Sequence, residues 1–262
     1  MPRSAAIDDP AGGEAILFLG GPTAAGKGAV ARALAEIVDA ELVLCDSAKV
    51  YRDLGVGANK PTPEQRRRHR YHLLDVCGPD ERLSAGEYAR LAGRALAEIR
   101  RRGRLPVVVG GTLLFAAALF DGLCPAPPTD PAVAKELERL SEAELRGELK
   151  RVDPAAAARI TPHDRQRLVR ALAVWRQSGR SLSDWRAATP VPDHGAPVAR
   201  FALLRSRPEL YERINERTRR IFAGGLLEET TALLERGRTP DSPALGVIGY
   251  AQAAAHLLGR LD

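Results

Sequence analysis

Gly21-Pro22-Thr23-Ala24-Ala25-Gly26-Lys27 restricts what this chain can fold into more than any other segment, because it stands between a short apolar run and a helical pattern. Upstream, Ala15-Ile16-Leu17-Phe18-Leu19 reads as a buried parallel strand running into Gly20-Gly21. Downstream, a helix is expected from Gly26 to about Ala40, with Val30, Leu34 and Ile37 on one face. GxxxxGK in a strand-to-helix turn is the arrangement of a phosphate-binding loop. Its backbone N–H groups point at an anion, the helix N-terminus favours negative charge, and Lys27 adds a point charge. The segment Gly21, Pro22, Thr23, Ala24, Ala25, Gly26, Lys27 and Gly28 is therefore the expected diphosphate-binding element. The residue after such a lysine is normally a Ser or Thr whose hydroxyl ligates Mg²⁺, but here it is Gly28, so an ion at this loop must rely on other oxygens. No protein residue is assigned as a metal ligand.

Alternation of strands and helices continues beyond the loop. Leu42-Val43-Leu44-Cys45 and Leu105-Pro106-Val107-Val108-Val109 read as further strands, and the amphipathic stretch Ser84 to Arg102 as the crossover helix between them. After Asp121, the stretch Cys124-Pro125-Ala126-Pro127-Pro128 is a rigid connector, and helical periodicity without strand signals follows to about Ala188. Phe201-Ala202-Leu203-Leu204 returns to the sheet before two more helices, roughly Pro208 to Gly225 and Leu226 to Gly237. The expected fold is α/β: a P-loop NTPase-like parallel sheet flanked by helices, with a helical insert subdomain. The expected division is a flexible tail over 1–13, a core over 14–123 and 200–262, and an insert over 124–199.

Composition narrows the setting. With 45% apolar and 27% charged residues in 262, the chain can bury a sizeable core, and no apolar run approaches the roughly 20 residues of a membrane span. The start MPRSAAIDDPAGG has no apolar segment of the kind a secretion signal needs. Cys45, Cys77 and Cys124 are too few and too scattered for a disulfide framework or a zinc site, which fits a reducing cytoplasm. A net charge of +6, carried mostly by arginine, favours polyanionic partners, although a GC-rich genome produces the same bias.

Two further strand ends carry chemistry. Asp46-Ser47 follows the second strand, at the edge where open parallel sheets place their ligands, and a carboxylate there either holds a metal or accepts a proton. Gly110-Gly111-Thr112 brings a hydroxyl and close backbone to the same edge. Each alone reads as a turn or a cap, but three strand ends on one rim favour a site.

The motifs also form an ordered set. Gly21 to Lys27, Asp46-Ser47-Ala48-Lys49-Val50-Tyr51, Gly57-Ala58-Asn59-Lys60-Pro61, Tyr71-His72-Leu73-Leu74-Asp75, Gly110-Gly111-Thr112-Leu113-Leu114-Phe115 and His163 to Leu172 stand in the order seen in tRNA dimethylallyltransferases. The sequence resembles that family further through Leu210 to Arg217, Gly225-Leu226-Leu227-Glu228-Glu229 and Gly249-Tyr250, in all over about residues 15 to 259. The resemblance implies transfer of a dimethylallyl group from its diphosphate to the N6 amine of an adenine next to the anticodon, with the anticodon stem-loop of tRNA as partner and Mg²⁺ as cofactor. It implies a cytoplasmic protein without a membrane anchor, expected to act as a monomer. Lys27 and the loop would hold the leaving diphosphate, while Arg213 and Arg217, one helical turn apart, would neutralise its growing charge. Asp46 would be the general base, because an exocyclic adenine amine is a poor nucleophile. Thr112 would position that amine, and Asp46, Ser47, Ala48 and Lys49 would line the acceptor's channel. Gln166, Arg167, Leu168, Val169 and Arg170 would touch the tRNA. Arg165, Arg167 and Arg170 by themselves are the cluster of an ordinary solvated helix face, and their place inside a matching motif is what favours RNA.

The sequence departs from the family pattern at four places. Gly28 lacks the hydroxyl, Ala58 stands for threonine in the Gly-Thr-Ala-Lys-Pro stretch, and Ala134 stands for an arginine. Through Asp262 nothing matches the family's basic Ala-Lys-Arg-Gln and Thr-Trp-Phe-Arg segment. Three other readings stay open on these residues: an isopentenyltransferase acting on a free adenine nucleotide, an ATP-dependent phosphotransferase, and an RNA-binding protein without catalysis.

Overall fold

A computed structural model describes residues 15–261; the expected tail over 1–13 lies outside them. Of these, residues 15–120 and 193–261 form one compact unit, and Asp121–Pro192 a second.

The first unit is built on β1 (Ile16–Gly20), α1 (Lys27–Ile37), β2 (Ala40–Cys45), α2 (Pro63–Arg68), β3 (Tyr71–His72), α3 (Ala85–Arg101), β4 (Leu105–Gly110) and α4 (Leu113–Phe120). Its five strands, the last being β5 (Val198–Ala202), are all parallel in the order β3-β2-β4-β1-β5. Parallel strands send their C-terminal ends to one edge. The register pairs Leu19 with Val109 and Cys45 with Gly110, so the segments after β1, β2 and β4 emerge side by side. That register allows no side chain at one point. A Cβ on Gly110 would overlap the Cys45 carbonyl, so the close approach of β4 to β2 at the rim requires glycine.

Side chains alternate across the sheet as period-two strands demand. Leu42, Leu44, Val107 and Val109 face α1, whereas Val43, Cys45 and Val108 face the larger cluster built by α3 and α4. Helix α3 starts where Ser84 accepts from the Glu87 N–H at 3.1 Å, and it buries Tyr88, Ala92, Ala95, Leu96 and Ile99. Helix α1 turns a different stripe to the sheet from the expected Val30, Leu34 and Ile37. Val30 and Ile37 are 44% and 80% exposed, and the helix meets the sheet through Ala31, Leu34 and Ala35. The small Ala31 lets the helix backbone approach the strands, which turns the buried stripe one residue away from the bulkier pattern.

The second unit holds α5 (Pro131–Leu137), α6 (Glu142–Val152), α7 (Pro154–Arg159), α8 (Arg165–Ser178) and α9 (Leu182–Ala187), around an apolar core that includes Leu137, Leu145, Leu149, Leu168 and Leu172. Buried Asp153 accepts from the Ala156 N–H and the Ser183 N–H, both at 2.9 Å, and so joins the starts of α7 and α9. Residues 193–199, expected in the insert, belong to the first unit. Arg100 donates to the His194 carbonyl at 2.7 Å, and the Ile16 N–H donates to the Pro197 carbonyl at 2.9 Å, before β5 begins at Val198.

The chain then finishes with α10 (Arg207–Ala223), α11 (Leu226–Glu235) and α12 (Tyr250–Leu257). No helix among the described residues is long and apolar enough to cross a membrane.

Candidate active site

The phosphate loop turns on backbone that few residues adopt. Gly21 has φ 136° and lies against the Leu203 carbonyl, where a Cβ has no room; Ala24 is left-handed at φ 64°. Lys27 opens α1, and its Nζ donates to the Gly21 and Pro22 carbonyls at 2.8 and 2.7 Å. Two arginines from the far end of the chain grip the same turn, Arg205 through the Ala25 carbonyl and Arg213 through the Ala24 carbonyl, each at 2.7 Å. Ala25 differs from the rest of the expected diphosphate segment. It is buried beneath the turn, and its N–H already donates to the Pro22 carbonyl at 3.3 Å.

Asp46 leaves the end of β2 in a tight local turn. Its Oδ1 accepts from the N–H groups of Ala48 and Lys49 at 3.0 and 3.3 Å, and its Oδ2 pairs with Lys49 Nζ at 2.7 Å. Burial alone would raise this carboxyl, but the Lys49 charge and these hydrogen bonds outweigh it, so Asp46 is held below the ordinary aspartate value. Desolvation lowers Lys27; the Asp46 charge opposes that effect, and Lys49 and Arg217 add to it. Thr112 spans the two strand ends: its Oγ1 accepts from the Ser47 N–H at 3.0 Å, and its own N–H donates to the Cys45 carbonyl at 3.2 Å. Cys45 itself is free, and burial pushes its thiol up to about 11, which leaves it inert.

Lys27, Asp46, Thr112, Arg213 and Arg217 all line one open cleft of about 1510 Å³, as do Ser47, Ala48 and Lys49. The structure thus brings together every residue expected to be catalytic. It also shows groups to which the sequence assigned no role. Lys60, whose side chain is only 4% exposed, pairs with Asp75, which also holds Arg66 at 2.7 Å. Both Lys60 and Asp75 lie in motifs that carried the resemblance, and that was their only signal.

In the helical unit, the segment expected to meet tRNA divides. Gln166 and Arg167 are exposed, with Arg167 Nε 3.3 Å from Asp164. Leu168 and Val169 are buried in the unit's core, so their side chains are not available to RNA. Arg170 donates to the Pro127 carbonyl at 2.7 Å and to Thr129 Oγ1 at 2.9 Å, and Arg165 donates to the Glu138 and Leu140 carbonyls. The expected cluster of three cations is therefore one exposed arginine and two that brace the unit's own backbone. Ala134 packs half-buried against the same core.

The family described as IPP transferase matches residues 49–262. The chain belongs to that family. A tRNA dimethylallyltransferase of Anaeromyxobacter dehalogenans is 46% identical over 251 residues, covering 94% of this chain and 83% of its own. One from Geobacter sulfurreducens is 42% identical over 248 residues, with 93% and 80% covered. Among solved structures, the full-length tRNA isopentenylpyrophosphate transferase of Bacillus halodurans superimposes with a TM-score of 0.66 at 31% identity, over 95% of this chain and 79% of that one. The fold is accordingly the P-loop NTPase-like one, and the protein is a transferase of the prenyl-transferring kind.

Proposed function

We propose that this protein transfers a dimethylallyl group from dimethylallyl diphosphate to the N6 amine of an adenine beside the anticodon of tRNA. The observation that carries the proposal is the junction of a phosphate loop and a half-buried carboxylate on one rim, Lys27 and Asp46 lining one cleft with Thr112 tying the strand ends between them. The N6 lone pair attacks the first carbon of the allyl group, the carbon–oxygen bond breaks, and the diphosphate leaves with the electron pair. Lys27, Arg213, Arg217 and the loop's N–H groups stabilise the charge that grows on the leaving oxygens. Asp46 takes the N6 proton. A carboxylate of low basicity suffices, because the N6–H becomes strongly acidic as the carbon–nitrogen bond forms.

Mg²⁺ enters the proposal as the counter-ion of the donor diphosphate. No three His, Cys, Asp or Glu among the described residues group as ligands, Gly28 offers no side-chain oxygen, and Asp46 Oδ2 is already paired with Lys49. The residues present do not build a cage for the ion. Gly28 lies inside α1 at an ordinary helical angle, where an added Cβ meets only Arg32 Nη1 at 3.4 Å. Gly28→Ser is therefore expected to fold and to bind the donor at lower Mg²⁺ than the parent. A magnesium titration of donor binding checks this, and unchanged dependence puts position 28 outside the ion's shell.

The proposal takes the protein to act as a monomer, in the cytoplasm where tRNA is modified. Its test offers dimethylallyl diphosphate, and separately ATP, to unmodified tRNA and to AMP in parallel, and looks for N6-prenyladenine or phosphorylated product by mass. Product on tRNA is expected. Product on AMP alone would replace tRNA with a free nucleotide, and phosphorylated product from ATP would point to a phosphotransferase.

For tRNA contact the structure separates useful from uninformative variants. Arg167→Glu removes an exposed cation whose side chain pairs only with Asp164 on its own helix start, and is expected to weaken tRNA binding and reduce its salt slope by about 0.7 to 0.9, the share of one phosphate contact. Donor affinity should not move. Arg170→Glu breaks contacts with Pro127 and Thr129, so a loss there reports folding of the helical unit. An unaltered salt slope for Arg167→Glu would remove Arg167 from the RNA surface.

A further inference from the structure

Glu229 on α11 and Tyr250 at the start of α12 stand in motifs to which the reaction assigns nothing, yet they hold one wall of the cleft. The Glu229 carboxylate accepts from three successive N–H groups: Gly55, Val56 at 2.9 Å and Gly57 at 3.3 Å. Tyr250 donates its hydroxyl to Glu229 Oε2 at 2.8 Å and accepts from the Ala58 N–H at 3.2 Å. Four consecutive amides of a loop are thus satisfied by two side chains that lie about 170 to 190 residues later in the chain. The fit leaves no slack. Tyr250 is fully buried, and a Cβ on Gly57 would collide with its ring and with Leu226.

The hold continues toward the chemistry. Within the loop, the Lys60 N–H donates to the Gly55 carbonyl at 3.2 Å, and Lys60 Nζ reaches the Tyr51 and Arg52 carbonyls and Asp75. The Asp75 N–H donates to the Lys49 carbonyl at 3.2 Å, and Lys49 is the residue whose ammonium pairs with Asp46. A continuous path of hydrogen bonds therefore runs from α11 and α12 through the 55–60 loop to the carboxylate. The phosphate loop lies outside this path. It is braced by Arg205 and Arg213.

We propose that Glu229 and Tyr250 are positioning residues: they clamp the 55–58 amides and, through Lys60 and Asp75, fix the segment bearing Asp46 and Lys49 for attack on the donor. The proposal rests on the prenyl-transfer reading for its catalytic consequence only. Simple packing does not account for the arrangement, because a phenyl ring at 250 and any side chain of similar size at 229 would fill the same space. What packing does not need is a carboxylate facing three N–H groups and a hydroxyl facing both the carboxylate and the fourth.

The test uses the full chain with Glu229→Gln, Tyr250→Phe and the double variant. The readouts are donor affinity by direct titration, kcat and KM on tRNA, and amide exchange over residues 20–28 and 49–61. Glu229→Gln keeps the shape but loses the charge that draws the amides, and is expected to lower kcat by up to about 10²-fold, the scale on which small misplacements of a reacting group act. Donor affinity should stay within about twofold, because the phosphate loop is braced separately. Tyr250→Phe should cost less, and the double variant no more than Glu229→Gln alone, since both act on one loop. Exchange should quicken over 49–61 and not over 20–28.

Unchanged kcat alongside faster loop exchange would overturn the catalytic role, and unchanged exchange over 49–61 would overturn the clamp itself. Equal loss of donor affinity and kcat would mean general damage to the fold, and would also count against the proposal. If the parent protein fails to prenylate tRNA, the functional reading fails on that arm, while the exchange comparison still decides whether the clamp exists.

Discussion

Asp46→Asn is expected to fold normally, to bind dimethylallyl diphosphate within a few-fold of the parent, and to lose about 10²- to 10⁴-fold in the rate of prenyl transfer, the usual range for a positioned general base. The amide retains an oxygen for the Ala48 and Lys49 N–H groups, so the turn after β2 survives. It has no basic lone pair for the N6 proton. Lys27 loses the favourable charge that Asp46 supplies, but it remains bound to the Gly21 and Pro22 carbonyls, so the phosphate loop changes little. Single-turnover kinetics with saturating donor isolate the step. The pH dependence adds a second check with a definite sign. Because Lys49 and the turn hold the Asp46 carboxyl below its ordinary value, the base form is present throughout the neutral range. It is lost only as pH falls below the roughly 3.9 of an unperturbed aspartate. The parent should therefore show no acid limb from this group between about pH 5 and 8. Single-turnover rates near the parent's for Asp46→Asn would sink the assignment of the base.

How much of this is legible in the sequence depends on how local each signal is. The phosphate loop, the strands β1, β2 and β4 and the crossover helix announce themselves within a dozen residues, and each lies within a few residues of its expected place. The order β3-β2-β4-β1-β5 carries no such signal, because neighbours in a parallel sheet are chosen by contacts far apart in sequence. Short elements were silent too. The six residues of α2 and the two of β3 cannot show a period, and α4 follows Thr112 as an apolar run whose Leu113 and Leu114 remain exposed. At the site, Lys27, Asp46 and Thr112 were readable because each follows a strand end. Glu229 and Tyr250 were visible only as members of a motif. Their partners are backbone amides near the other end of the chain, and nothing in the composition of Gly55 to Ala58 names the acceptor. The arginines of α8 show the reverse error: a cluster by sequence, they separate once Leu168 and Val169 are buried and the helix turns Arg165 and Arg170 toward its own unit.

Glu41→Gln should produce a large loss of stability at a position away from the cleft. Glu41 is the second residue of β2, fully buried, at the end of the strand opposite Asp46. Arg102 engages it through Nε at 3.0 Å and Nη2 at 2.7 Å, His72 Nε2 lies 2.6 Å from Oε2, and Arg104 and Arg70 approach to 3.3 and 3.6 Å. Together with the hydrogen bonds, these charges overcome desolvation and bring the Glu41 carboxyl from 4.5 down to about 2. Removing one side of a buried ion pair typically costs about 3 to 5 kcal/mol. The arginines here keep part of their water, so the expected loss is near the lower end, about 3 kcal/mol. The sign of the pH dependence follows from the lowered value. The stabilisation is complete above the ordinary glutamate range and is lost as pH falls from about 4.3 toward 2. Urea unfolding of parent and variant should therefore differ fully at pH 7 and converge below about pH 4. Five residues of strand, about 16 Å, separate Glu41 from Asp46, so the folded variant should bind donor like the parent. Equal stability at pH 7, or a gap that persists undiminished at pH 3, would show that the arginines around β2 do not depend on this carboxylate.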